Sequence, residues 1–134
     1  MVTINAAAAI LAGGLMIGAP ANNKWRALLE PVGNATVRGG ATAEAKGEGS
    51  THFIISIRNG TPNTTLTWHM HSGSCANPGG VEGSGYPTLQ VGTGGVAQAA
   101  VTLSVAPPAT GGHIIQVHGA GGTVVACGEL RGVE

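Results

Sequence analysis

Hydrophobic residues recur at every second position in short stretches from about Trp25 onward. Phe53, Ile55 and Ile57 form the clearest example. A period of two is typical of a strand with one buried face, because successive side chains of a strand point to opposite sides. The pattern predicts eight strands and no convincing helix, with the strands near residues 25–32, 36–45, 51–58, 66–71, 88–91, 96–103, 113–117 and 123–130.

Glycine pairs separate or interrupt these stretches, as at Gly79-Gly80 and Gly94-Gly95, and they are typical of turns. Pro107-Pro108 marks a connection, since proline cannot donate a backbone hydrogen bond inside a central strand. Seven or eight short strands joined by such turns predict an all-β antiparallel sandwich or flattened barrel.

The first 23 residues differ from the rest, which we assign to a single sandwich domain over residues 24–134. An apolar run over residues 4–21 is interrupted only by Asn5 and Pro20. It fits a secretory signal peptide cleaved near Ala19-Pro20-Ala21, although no Lys or Arg precedes it. It also fits a retained anchor or docking segment, because Gly14 and Gly18 form a G-x-x-x-G motif. We prefer the retained segment, with a membrane or other protein subunits as its partner through residues 1–21.

Composition excludes several classes of protein. Only 9% of the residues are charged, the formal net charge is zero and the chain contains no Asp, so nothing predicts binding to nucleic acid. A hydrophobic fraction of 43% argues against disorder despite 24 glycines. The length of 134 residues suits one domain.

Cys75 and Cys127 do not form a metal-type C-x-x-C pair. They are either two buried free thiols or a disulfide. A disulfide would indicate an oxidising, extracytoplasmic location, either periplasmic or secreted.

The histidines are the candidate metal ligands. His69 and His71 lie two apart in a predicted strand, so their imidazoles project from the same face. His118 lies near the end of another predicted strand and joins them if the two strands are neighbours. Three imidazoles suit copper or zinc. His113 and His118 are an odd number of residues apart in one predicted strand, so their side chains point to opposite faces. We therefore expect His113 outside the cluster. We place both His52 and His113 at the surface or at an edge.

Three segments resemble the copper/zinc superoxide dismutase superfamily: Leu66 to Cys75 with its H-x-H, Ile115 to His118, and the A-C-G of Ala126 to Gly128. The resemblance implies a Greek-key sandwich, copper ligation by His69, His71 and His118, and a disulfide between Cys75 and Cys127. The H-x-H, the later V-H and the G-E-L ending also resemble chordin-type (CHRD) domains, which have no established enzymatic role.

The chain departs from the dismutase pattern in the loop over residues 76–87. This loop contains neither His nor Asp, where the family places its bridging His and its zinc ligands. Val124 stands where the family has an Arg near the copper. The resemblance therefore implies copper without zinc, and it leaves enzymatic activity in doubt.

Two functional hypotheses follow. The preferred one is a non-catalytic structural or accessory subunit of a membrane-associated or surface assembly, docked by its apolar N-terminus. The alternative is a copper-only superoxide dismutase or copper-binding protein that uses His69, His71 and His118.

Overall fold

The computed structural model describes residues 23–133, so the predicted apolar segment, with Gly14 and Gly18, lies outside the described residues. Within residues 23–133 there are ten strands and one 3₁₀ turn at Ala120–Gly122. No helix in this part of the chain has the length and apolar character needed to cross a membrane. The strands are β1 Lys24–Pro31, β2 Arg38–Ala45, β3 Thr51–Arg58, β4 Thr65–Gly73, β5 Pro78–Val81, β6 Leu89–Gln90, β7 Ala97–Leu103, β8 His113–His118, β9 Val124–Glu129 and β10 Arg131–Gly132.

All of these strands pair antiparallel in one curled sheet. The order across the sheet is β5-β4-β8-β9-β1-β2-β3-β7, with β10 beside β1 and β6 beside β4. The chain runs as a meander from β1 to β3 and then crosses to the other end of the sheet to form β4. The predicted all-β antiparallel sandwich or flattened barrel is confirmed.

The core lies between two layers, one formed by β1, β2, β3 and β7 and the other by β4, β8 and β9. Phe53 of β3 contacts Trp68 of β4 edge to face, with ring centroids 5.7 Å apart, and thereby joins the layers. Phe53, Ile55 and Ile57 are all almost completely buried, as their period of two predicted. Small residues on β2, such as Ala41 and Ala43, face Ile55 and Phe53 and make room for them.

Each of the eight predicted strands corresponds to an observed one, with ends that differ by at most two residues. Two short strands have no counterpart among the predictions. Pro78–Val81 lies in the stretch that was predicted to be a loop. The sequence Pro-Gly-Gly-Val has no hydrophobic alternation and indicates a turn. Arg131–Gly132 is only two residues long.

Candidate metal centre

Strand β4 places two of the three candidate ligands. Trp68 and Met70 point into the core and are fully buried, so His69 and His71 project from the opposite face. Strand β8 pairs with β4 in a register that sets Thr67 opposite His118 and His69 opposite Gln116. His118 is therefore a diagonal neighbour of His69 on the same face.

One nitrogen from each of His69, His71 and His118 lies within 4.8 Å of the others. The ring centroids are 5.3 to 5.8 Å apart. The structure thus brings together all three histidines predicted from the sequence.

Each of the three rings also has a buried nitrogen without a hydrogen-bond partner: Nδ1 of His69, Nε2 of His71 and Nε2 of His118. Buried polar atoms are nearly always hydrogen-bonded, because an unmade bond costs about 1–3 kcal/mol. Three such atoms on three adjacent rings are typical of a site built for a ligand.

Backbone carbonyls hold two of the rings. Nδ1 of His71 lies 3.0 Å from the carbonyl oxygen of Gly79, and Nδ1 of His118 lies 3.2 Å from that of Gly122. A carbonyl can only accept, so in each neutral ring Nδ1 carries the proton and Nε2 has the lone pair. Metal-binding histidines are commonly oriented in this way by a partner on the other nitrogen.

Burial lowers the pKa of His69, and the neighbouring His118 and His71 lower it further. All three effects favour the neutral imidazole. A neutral imidazole is the form that offers a lone pair to a metal ion.

A disulfide joins the segment that precedes β5 to strand β9. Cys75 and Cys127 are joined, as the resemblance implied, with their Cα atoms 6.0 Å apart. Cys127 pairs with the buried Gln116, which pairs with His69, so the three residues form one cross-strand row. The segment after Cys75 leads directly into β5, which contains Gly79.

Tyr86 completes the wall beside His69. Its ring is perpendicular to the His69 ring at 5.4 Å and also contacts Trp68 at 5.0 Å. Its hydroxyl donates to the backbone oxygen of Glu82. Burial raises the pKa of Tyr86, and the nearby Glu82 carboxylate adds to this effect.

The two remaining histidines lie outside the cluster. His52 is on β3, where Nδ1 lies 2.7 Å from Oγ1 of Thr102. His113 was predicted at the surface or an edge, but its side chain is only 14% exposed and lies 3.5 Å from the Glu82 carboxylate. Glu82, in the segment that follows β5, lies against this side chain, and the alternation of side chains along a strand does not reveal a neighbour from another part of the chain.

The sequence did not point to the residues that support the ligands. Gly79 and Gly122 contribute through their carbonyl oxygens, which every residue has, so their side chains give no signal. Tyr86 had a weak signal, as the only tyrosine in the chain.

The structure also shows what stands beside His118. Its cross-strand partners are Val124 on β9 and Thr67 on β4. Neither carries a charge. The position where the resemblance expected a guanidinium is therefore apolar and adjacent to a candidate ligand.

No protein-family model matches this chain, and no curated protein matches it. Among solved structures, 108 chains are similar. One is the crystal structure of the clock protein EA4, with a TM-score of 0.67 and 16% sequence identity, covering 89% of this chain and 100% of that one. At this identity the similarity concerns the fold alone.

Proposed function

We propose that this chain is an extracytoplasmic, superoxide dismutase-like domain that holds a copper ion through His69, His71 and His118. One observation carries the proposal: the three converging imidazoles each have a buried nitrogen without a hydrogen-bond partner. A bound cation would give these three lone pairs a partner at once.

The donor set fits copper. The cluster offers three neutral nitrogens, and it includes no carboxylate or thiolate. Imidazole suits copper and zinc, whereas magnesium and calcium prefer oxygen ligands. One nitrogen of each ring lies within 4.8 Å of the others, so a single ion between the rings could be bound by all three.

A copper ion at this position would supply one-electron redox chemistry. The chain's own residues orient two ligands through the Gly79 and Gly122 carbonyls and shield His69 with the Tyr86 ring. They place no positive charge directly across from His118. Superoxide is an anion, and a site without a nearby cation lacks electrostatic steering. We therefore propose that the site binds copper but does not catalyse rapid dismutation of superoxide.

The disulfide supports the extracytoplasmic part of the proposal. Disulfides persist in oxidising compartments and are rare where thiols are kept reduced. Cys75 and Cys127 close a sequence separation of 52 residues.

Copper loading tests the proposal. The purified full chain is expected to bind one copper ion, measured by elemental analysis and by the electron paramagnetic resonance spectrum of Cu(II). His71→Ala should abolish stoichiometric binding, whereas the control His52→Ala should not, because His52 lies outside the cluster. A His71→Ala variant that retains one tightly bound copper would overturn the assignment.

A superoxide assay on the same loaded samples tests the non-catalytic part. We expect turnover well below the diffusional ceiling of about 10⁸–10⁹ M⁻¹s⁻¹. Turnover near that ceiling would make the protein an enzyme and would leave the copper assignment intact.

A second role is compatible with copper binding and concerns the N-terminus. The apolar run with Gly14 and Gly18 favours an accessory subunit that docks into a membrane or onto other subunits. Deletion of residues 1–21 should then release the protein from its assembly without changing copper binding. Unchanged co-purification of the deletion variant would rule this role out.

A further inference from the structure

The outer face of β1, β2 and β3 carries an apolar groove. Leu28 and Ile54 point away from the core, and their side chains are 67% and 50% exposed. Gly40 lies opposite Leu28 on the middle strand β2 and diagonal to Ile54, and its missing side chain leaves an opening between them. The groove has a volume of about 210 Å³ and is lined mainly by apolar atoms. A concave apolar surface of this kind is typical of a ligand site.

A pair of arginines adjoins this groove. Arg26 lines it, and Arg131 of β10 lies directly opposite Arg26, so both side chains emerge on the same face. Within residues 23–133, Arg131 is paired with Glu129 at 2.9 Å, whereas Arg26 has no acidic partner. Like charges directly opposite each other on antiparallel strands are destabilising. An anion bound at Arg26 would relieve this repulsion.

The apolar groove opens at Arg26 into a larger groove, which has a volume of about 630 Å³. This volume is within the range of about 300–1,000 Å³ that is usual for small-molecule sites. Two carboxylates line the larger groove, and each is held by an arginine. Glu129 is paired with Arg131, and Glu30 is paired with Arg38 at 2.6 Å. Arg26 is therefore the charge in this groove that an anionic ligand can neutralise.

Charge and apolar surface are arranged along one row of the sheet. Arg26, Thr42 and Ile54 are cross-strand neighbours on the outer face. Neighbouring strands are about 4.8 Å apart, so about 10 Å separate the backbones of Arg26 and Ile54. An extended chain advances about 1.2 Å per bond, so about eight carbons cover this distance. A ligand along the row has a charged group at one end and an apolar chain at the other.

We propose that this face binds a fatty acid of about eight to ten carbons. Its carboxylate lies at Arg26 and Arg131, because arginine binds carboxylates through paired hydrogen bonds. Its alkyl chain lies in the groove between Leu28 and Ile54, where each methylene removed from water adds to the affinity. The site is on β1, β2, β3 and β10, whereas the histidine cluster is on β4 and β8, so fatty-acid binding does not depend on copper.

Titration of the full chain with decanoate, below its micelle concentration, tests the proposal. Calorimetry is expected to show one binding event, and the amide nuclear magnetic resonance signals of Leu28 and Ile54 should shift. Decyltrimethylammonium has the same chain and the opposite charge. It should bind about ten-fold more weakly or less, because it cannot accept hydrogen bonds from arginine. Shorter carboxylates should lose up to about four-fold in affinity for each methylene removed.

A charge variant tests the assigned position of the carboxylate. Arg26→Gln should weaken decanoate binding about ten-fold. Arg58→Gln is the matched control, because Arg58 is exposed on the same face and also lies opposite an arginine, Arg38, but lines neither groove. The two variants have the same net charge, so a general loss of positive potential would weaken both equally.

A filled groove tests the assigned position of the alkyl chain. A Cβ at Gly40 would meet only the backbone oxygen of Ala27, at 3.6 Å, so the strand accommodates Gly40→Val. Decanoate affinity should fall about ten-fold, the loss expected when about two methylenes lose their contact. Gly80→Val on β5 is the control, because a Cβ there meets nothing within 4 Å and lies outside both grooves.

Absence of decanoate binding would overturn the proposal. So would equal effects of each variant and its control, or spectral shifts confined to other parts of the chain. Binding that appears only after deletion of residues 1–21 would also overturn it, because the chain's own apolar segment would then be the occupant. All of these measurements are made without copper, so a negative result leaves the metal proposal intact.

Discussion

The strand pairings in the two layers of this molecule differ in regularity. The pairings of β1 with β2, β2 with β3 and β3 with β7 run without a register shift. Register shifts occur instead in the pairings of β4 with β5 and of β8 with β9, close to His71 and Val124. Strand irregularities of this kind often lie beside functional sites.

Hydrogen bonding divides the molecule in the same way. Five buried side-chain nitrogens lack a partner within the described residues, and all five belong to β4 or β8: those of Trp68, His69, His71, His113 and His118. The regular layer contributes stability through apolar packing. The irregular layer leaves polar atoms without partners, which lowers stability and creates a place for a ligand. Four predictions test this division, from the largest expected effect to the smallest.

The disulfide should be the largest single contribution to the stability of the irregular layer. Cys75→Ser with Cys127→Ser should lower the free energy of unfolding by about 4 kcal/mol, because it removes the constraint on a long loop in the unfolded chain. Urea denaturation monitored by tryptophan fluorescence measures the change. A loss of less than about 1 kcal/mol would show that the segment between Cys75 and β5 is held by other contacts.

A core truncation in the regular layer should separate stability from metal binding. Ile55→Ala is expected to lower the free energy of unfolding by about 2–5 kcal/mol, because the Ile55 side chain is fully buried in the core. The folded variant should still bind one copper ion with near-normal affinity. Equal losses of stability and affinity would show that the two layers are not independent.

The carbonyl that orients His71 should affect affinity more than stability. A Cβ added at Gly79 would lie 2.2 Å from Oγ of Ser72, which would have to rotate away, and 3.0 Å from the backbone oxygen of Ser72. We therefore expect Gly79→Ala to displace this backbone and disturb the bond to Nδ1 of His71. We expect copper affinity to fall about 10–100-fold, as for other residues that orient metal ligands.

Gly80→Ala is the matched control, because a Cβ there meets nothing within 4 Å. Isothermal titration of both variants with Cu(I) or Cu(II) gives the comparison. An equal loss of affinity in the two variants would contradict the role assigned to the Gly79 carbonyl.

The smallest effect is expected at Trp68, whose indole nitrogen is buried without a partner. Trp68→Phe removes that unsatisfied donor, which recovers about 1–3 kcal/mol, and also removes buried ring volume, which costs a similar amount. The unfolding free energy should therefore change by about 1 kcal/mol or less. A loss above about 3 kcal/mol, typical of a large core truncation, would indicate that the donor is satisfied in solution.

Much of the fold was accessible from local pattern. Alternation located eight strands, and the bounds of Thr51–Arg58 were predicted to the residue. The pattern failed at Pro78–Val81, where Pro and Gly indicate a turn and only pairing with β4 produces a strand. Two of the three candidate ligands could be grouped for the same local reason. The alternation of side chains along a strand places His69 and His71 on one face, and it places His113 and His118 on opposite faces.

The sequence by itself determined which side chains share a face of a strand, because side-chain direction alternates residue by residue. Only the tertiary structure decided which strands are neighbours, because strand order follows from packing between residues far apart in the chain. That order placed His118 beside His69 and brought the Gly79 carbonyl onto His71. It also placed β7 at the end of the sheet, next to β3.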